Sequence, residues 1–561
     1  MRRAFLLLAR AFAILALAAS PLASLAQTVC AQITQGTASW TGIVNTYYPG
    51  TSATASAGSS SIGVGGADGR GAATPIAAGD LLLIVQMQDA SISSSNSIAY
   101  GGSGSGQGYT TVNSSGVYEY AVATGPAGGS VPLATPLTNT YHSGSANGVD
   151  GQKTYQVIRV PQASSATITG TLTAPPWNGS TGGIVAIDVA GNLNWNGQTI
   201  DVDGRGFRGG GGQSSTTDGT GAPVNANTDY VSNVGTGTLN SSVPNGAKGE
   251  GIAGTPIVVF NQTTPNSSGA GSLLNTGGTD GTSGGYPSGS FGRGAPGNGG
   301  GGGTDGDPPA NDQNTGGAGG GNYGIGGKGG FGWTPGTPPG WDGGGMGGMS
   351  VPGGTARLFF GGGGGAGSSN NATGVPGAGL ASSGASGGGL VFVRAGTVTG
   401  AGTITARGTS GNASVGNDAG GGGGAGGSVL VFVNNSGAAV GATINIQGGN
   451  GGCNTGGGTS TGTCTVPTGG SPHGPGGGGS GGFALLSGTA TVNAAGGANG
   501  VTATSPTSTQ DYGSTSSSGG FQIVSLTASQ ITGSGSSTAC FPQLTVTKAT
   551  SSPDVAAGAP R

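Results

Sequence analysis

Four oxygen-bearing side chains crowd one short stretch of the chain: Asp305, Asp307, Asn311 and Asp312 in DGDPPAND. Carboxylates and an amide on a turn suit a hard cation, which makes the stretch a calcium candidate, although it follows neither the EF-hand spacing nor a glycine nonapeptide. Solvated turn acids are the competing account. DVDG at residues 201–204 begins in the same way. Trp333 and Trp341, in GWTPGTPPGW, are aromatic faces that could stack on sugar rings or pin a Pro/Gly loop to the body. GIGGKGG at 324–330 lacks the Ser or Thr that a phosphate-binding loop needs after its Lys.

The four cysteines are Cys30, Cys453, Cys464 and Cys540. An even number in an exported chain reads as disulfides, and four cysteines allow three pairings. We expect Cys453 with Cys464, closing a short Gly/Thr loop, and Cys30 with Cys540, tying the ends together. Free or intermolecular thiols are the alternative. Zinc is a poor fit, because CxxC pairs are missing and His142 and His473 are the sole histidines.

Composition narrows the function classes. Of 561 residues, 134 are Gly and only 6% are charged, whereas ordinary globular chains have roughly 7% Gly and about 25% charge. Residues 1–26 place Arg2, Arg3 and Arg10 ahead of an apolar stretch at 11–19, with Ser24 and Ala26 before Gln27. That is the pattern of a cleaved secretory signal. Its removal changes the formal charge from 16 − 19 = −3 to 13 − 19 = −6. Nucleic acid is therefore not an expected partner, and the sequence offers no integral membrane segment. Catalytic chemistry on a sugar polymer would want clustered acids; 19 acids are scattered over the chain.

The elements that must position these residues are strands. DLLLIVQMQ (80–88), VYEYAVA (117–123), TYQVIRV (154–160) and TITGTLTA (167–174) are β-branched or aromatic and bounded by turn residues, which predicts an N-terminal β domain over 27–181. From 182 to 530 a unit repeats. An apolar block (IVAIDV at 184, LVFV at 390, VLVFV at 429, FALL at 483) precedes a short strand (TIDVDG at 199, TITARG at 403, TINIQG at 443, TVNAAG at 491). One unit cannot bury both strands, but stacked units cover one another, with Ile404 and Ile444 in equivalent buried places.

GGGGGAG occurs at 361–367 and 420–426, and GGGGSGG at 476–482. Flexible spacers are one reading. The other is extended three-residue-per-turn helices of polyglycine II type, whose backbone groups pair with neighbouring chains. Residues 214–248 and 295–345, poor in apolar side chains, are expected to be long loops or disorder.

Three resemblances follow from these residues. GGGGGAGGSVLVFV and GGTARLFFGGGGGAG are similar to the polyglycine II domains of certain receptor tyrosine kinase ectodomains and phage tail-tip adhesins, which implies a packing mode. Residues 159–193 and 199–212 resemble uncharacterised glycine-rich bacterial surface proteins. LTVTKATSSPDVAAGAP, within a C-terminal segment at 531–561, resembles the opening strand of the DUF11 repeat of bacterial surface stalks. The resulting expectation is an all-β chain, an N-terminal β domain followed by an elongated, glycine-rich, β-solenoid-like region. We expect a secreted or cell-surface structural or adhesive protein without catalysis or a cofactor other than the calcium candidate. Its expected partner is a cell-surface or matrix polysaccharide or protein; the alternative is a β-helix protein that binds or cleaves polysaccharide.

Overall fold

The computed structural model describes residues 34–147, 149–212, 229–231, 245–262, 271–276, 285–305, 314–332, 342–369, 379–412, 415–416, 418–434, 439–454, 472–502 and 511–535. The chain is all-β: among these residues, two three-residue 3₁₀ turns, Leu380–Ser382 and Ala528–Gln530, are the only helical elements.

Eleven strands make one parallel sheet. Its path runs from Val492–Asn493 through Ala442–Asn445, Gly402–Thr405 and Thr199–Asp201 to Gln162–Thr173, then through Ile184–Asn194, Leu390–Thr399, Ser428–Val433 and Phe483–Leu486 to Phe521–Ile523, with Thr34–Gly42 added beside Gln162–Thr173. The long strand Gln162–Thr173 belongs to both arms. Its first half pairs with residues 188–194 and its last two residues with 200–201. The sheet is therefore a folded, nearly closed path in which each repeat contributes its apolar block to one arm and its short strand to the other.

The short strands stack as their sequences suggest, Ile200 on Ile404, Ile404 on Ile444 and Ile444 on Val492; the three isoleucines are fully buried. The apolar blocks do not match letter for letter. Phe392 lies opposite Leu430, an offset of 430 − 392 = 38, while Ile404 lies opposite Ile444, an offset of 444 − 404 = 40. A slip of two residues keeps every side chain on its own face, because side chains alternate with period two. The longer connection from Val433 to Ala442 absorbs the difference.

Continuous apolar blocks fit a parallel sheet covered on both faces. One cover is an antiparallel sheet in the order Thr46–Pro49, Thr154–Val160, Leu81–Gln88, Tyr118–Val122. Leu81, Leu83, Val85 and Met87 join the same core as Val391 and Phe392, whereas Leu82 and Ile84 turn to a second cluster with Tyr155 and Val157. Tyr118 meets Phe392 edge-on, with ring centroids 5.2 Å apart. The N-terminal sheet and the repeats thus share one core.

The glycine runs form a third kind of layer. Along residues 361–368 the amide hydrogens point in rotation to three different neighbours. Gly361, Gly364 and Gly367 donate to the carbonyls of Gly388, Ala385 and Ser382; Gly362, Gly365 and Ser368 to Gly321, Ala318 and Thr315; Gly363 and Ala366 to Glu250 and Ala247. Run 420–426 repeats the pattern: Gly420, Gly423 and Gly426 bond Gly474, Gly477 and Ser480, while Gly422 and Ala425 bond Gly365 and Gly362. A partner that changes with every residue and returns at every third is the hydrogen bonding of extended helices with three residues per turn, which have no internal bonds of their own. The neighbouring chains run in both directions: bonds to 474–480 ascend with residue number and those to 362–365 descend.

Where the stretch 295–345 is described, this arrangement corrects the expectation of loops or disorder; residues 306–313 and 333–341 lie outside the described residues. Residues 299–303 and 314–321 are buried extended segments of the same bundle, Gly301 and Ala318 among them. Low apolar content predicts exposure only when side chains do the burying; here backbone packs on backbone. A Cβ added to Gly422 would sit 1.9 Å from the carbonyl oxygen of Ala318, and one at Gly364 would sit 2.2 Å from that of Gly422.

Two predictions follow. Gly422→Val forces apart chains that are hydrogen-bonded to each other, so its melting temperature falls, corresponding to about 1–3 kcal/mol of overpacking plus the broken backbone bonds. Gly354→Ala is the control, since nothing lies within 4 Å of a Cβ there; equal melting of the two variants would refute the packing argument. The second concerns His473, buried immediately ahead of run 474–482. Burial holds its imidazole down at about 4, although the charge of Asp418 pulls the other way. The unfolded chain, titrating near 6.5, therefore binds more protons than the folded one between pH ~6.5 and ~4, and stability declines as pH falls through that window. His473→Gln should flatten that slope, read as melting temperature at pH 7 and pH 5.

Candidate functional site

Charge is scarce in this chain, so its clusters are conspicuous. Two are buried ion pairs. Asp188 and Arg394 face each other across adjacent parallel strands, NH2 to Oδ2 3.1 Å, and the guanidinium carbon lies 3.7 Å from the centre of the Tyr120 ring. Arg394 also donates to the carbonyl of Ser534, 3.0 Å away, which fastens the C-terminal described segment to the sheet. Glu250 is the second centre. It accepts from Arg208 Nε and NH2, each at 2.8 Å, from Trp177 Nε1 at 3.1 Å and from Thr255 Oγ1 at 2.5 Å. Burial works to raise its pKa, yet the charge and hydrogen bonds of Arg208 overcome that and lower it. A carboxylate with this many fixed donors is structural; it has no free lone pair aimed at a reactant.

A third group reaches the surface. His142 Nδ1 lies 3.0 Å from Asp89 Oδ2, which also accepts the amide of Ser114 at 3.0 Å, while Lys153 Nζ stands 4.0 Å from Oδ1. The pair orients an imidazole, but among the described residues the ring hydrogen-bonds to Asp89 alone, so a nucleophile for it to activate is missing.

The fourth group gathers where the first short strand ends. Arg70 clamps Asp68 through Nε and NH2 and reaches the carbonyl of Pro176 at 2.8 Å. Burial would raise the Asp68 pKa, but the hydrogen bonds from Arg70 and Thr181 bring it down to about 2. Arg407 holds Asp203 in the same way, Nε to Oδ2 2.7 Å and NH2 to Oδ2 2.6 Å, with Thr405 also bonded to that carboxylate. Asp201, half-buried beside them, accepts the amide of Asp203 at 2.9 Å. Burial pushes its pKa up, the Asp203 charge adds to that, and the amide and the neighbouring arginines offset only part of it. Two nearby carboxyls thus differ in environment: Asp203 is clamped and Asp201 is not.

Of the residues singled out in sequence, Asp305 is buried, and its amide bonds Asn245 Oδ1 at 3.1 Å. Asp307, Asn311, Asp312, Trp333, Trp341, Cys30, Cys464, Cys540, the signal segment and the DUF11-like stretch lie outside the described residues. Among the described residues, no group of three or more His, Cys, Asp or Glu could hold a metal. Cys453 is buried; Cys464 lies outside the described residues, and the pairing of the two stays an expectation. No described helix is long and apolar enough to cross a membrane.

The Arg-bearing clusters were missed, although a signal for them existed. Aligning Thr199 with Thr403, an offset of 204, sets Asp203 against Arg407, and aligning IVAID with LVFVR sets Asp188 against Arg394. Opposite charges at matched positions of successive repeats mark cross-strand pairs. Neither a family model, nor a curated protein, nor a solved structure matches the chain.

Asp188→Ala strands the buried Arg394 charge and should cost about 3–5 kcal/mol. The double variant Asp188→Ala/Arg394→Met should recover much of that loss in denaturant unfolding; a single variant as stable as wild type would show the pair to be idle.

Proposed function

We propose that this is a secreted or cell-surface structural and adhesive protein, with no catalytic activity of its own. Its body is a solenoid-like stack stiffened by polyglycine II helices, and its partner is a cell-surface or matrix polysaccharide or protein. The observation that carries the reading is the period-three hydrogen-bond web joining the glycine runs to one another and to the stacked strands. Glycines held by neighbouring chains at every third residue make a rigid body, and that web offsets the backbone entropy lost on ordering, which is larger for glycine than for any other residue. The buried ion pairs fit the same role, since all the oxygens of Glu250 are engaged in holding elements together.

The reading as a polysaccharide-cleaving protein draws on one observation, the half-buried Asp201 with its raised pKa next to a clamped Asp203. Carboxyl pairs held in unlike environments can divide acid and base roles. Glycan-array binding combined with a polysaccharide-cleavage screen separates the two. Binding without release of reducing ends is the expected outcome. Cleavage lost in Asp201→Asn would replace the adhesive reading with the enzymatic one.

A further inference from the structure

The cluster around the end of strand Thr199–Asp201 has an imbalance that the structural roles leave unexplained. It contains three arginines and three aspartates, and two of the arginines are matched: Arg70 to Asp68 and Arg407 to Asp203. Arg205 is not. Its Nε is buried with no hydrogen-bond partner, and it forms no ion pair within 4.0 Å among the described residues, although Asp201 and Asp203 are close enough for their charges to act on it. Those two carboxylates are turned elsewhere, Asp201 to an amide and Asp203 to Arg407 and Thr405.

We propose that Arg205 is the recognition point for a carboxylate carried on an otherwise neutral glycan chain. The Arg205 Nε has given up water without gaining a partner, and the terminal NH2 groups of the half-buried guanidinium are left for an anion to meet. Burial lowers its pKa, in keeping with that unmet need. The planar fork of N–H donors matches a carboxylate in two parallel hydrogen bonds. Charge decides the kind of anion. With Asp201 and Asp203 beside it, a phosphate monoester dianion, or the dense charge of a polysulfated chain, would be repelled more strongly than a single carboxylate on an otherwise neutral chain.

The surroundings suit sugar hydroxyls. In register with Asp201 across the stacked short strands lie Thr173 on one side and, beyond Thr405, Asn445 and Asn493 on the other. Successive strands are roughly 4.7–4.9 Å apart, so a chain laid across them meets the polar side chains of Thr173, Asp201, Asn445 and Asn493, while Thr405 is buried with its hydroxyl on Asp203. The Asn493 amide already donates to Asn445 Oδ1 at 2.7 Å, which holds both side chains in line. This inference rests on the adhesive reading in that it names what the surface would hold.

The test uses the full chain and titration calorimetry with an oligosaccharide alternating glucuronate and N-acetylglucosamine. A neutral N-acetylglucosamine oligomer, a heparin oligomer and a short Gly/Ser peptide with a free C-terminal carboxylate serve as comparisons. Binding of the glucuronate oligomer should weaken with salt and fall about tenfold or more in Arg205→Gln, with Arg205→Lys intermediate, as loss of a charge-assisted bidentate contact demands. Equal binding by Arg205→Gln, absence of binding by wild type, or tighter binding of the neutral, sulfated or peptide probe would each overturn the proposal. Should Arg205→Gln fail to fold, the carboxyl-reduced oligomer on wild type gives the same comparison. The two readings fail separately: cleavage of the oligomer sinks the adhesive reading and leaves the Arg205 contact, whereas adhesion to glycans that is indifferent to Arg205 sinks the contact alone.

Discussion

Everything in this fold depends on how closely backbones can approach where no Cβ stands between them. In the glycine bundle the nearest atom to a would-be Cβ is, at position after position, a carbonyl oxygen of another chain: Arg208 for Gly363, Gly301 for Gly365, Ser386 for Gly424. At such spacing the Cα hydrogens also point at carbonyls, adding weak contacts to the amide hydrogen bonds. The interior of the glycine bundle is thus polar in composition, with its amides paired to carbonyls of neighbouring chains. This inverts the usual arrangement, in which apolar side chains fill a core and backbone groups pair within their own elements.

The parallel sheet follows from that constraint. Run 420–426 leads straight into Ser428–Val433, and 476–482 into Phe483–Leu486. A run held by neighbours at every third residue delivers the next strand at a fixed height and rotation. The strand then stacks on the block before it, and the apolar core of Val391, Phe392, Leu430 and Leu485 closes beneath the N-terminal sheet. Long connections between parallel strands carry an entropic cost that grows with loop length. Here the described parts of the connections, the glycine runs among them, are hydrogen-bonded to one another and to the strands, so they contribute to the fold they span.

Charges are used sparingly and in matched pairs. Asp188 with Arg394 and Asp203 with Arg407 each join successive repeats of the parallel sheet. A misplaced register would leave a charge buried against an apolar side chain, which makes these pairs specify alignment whatever they add to stability. The two-residue slip between Phe392 and Leu430 shows why such devices matter: LVFV can lie on LVFV in more than one way, and hydrophobicity alone does not choose.

The sequence by itself determined the all-β class, the repeated unit and the stacking of Ile200, Ile404 and Ile444, because alternation of side chains along a strand is a local property. It also held the cross-repeat ion pairs, visible once the units are aligned by charge as well as by apolar residues. What only the tertiary structure decided was the fate of the low-complexity stretches. Nothing local distinguishes Gly301 or Gly319 in a packed extended segment from the same residue in a linker, since a glycine has no side chain to record its neighbours. The block register, the core shared with Leu83 and Tyr118, and the unmatched Arg205 likewise arise from which segments meet in space. In the bundle those meetings are set by backbone hydrogen bonds between residues from tens to more than a hundred positions apart, and glycine marks where such an approach is possible without marking which chain approaches.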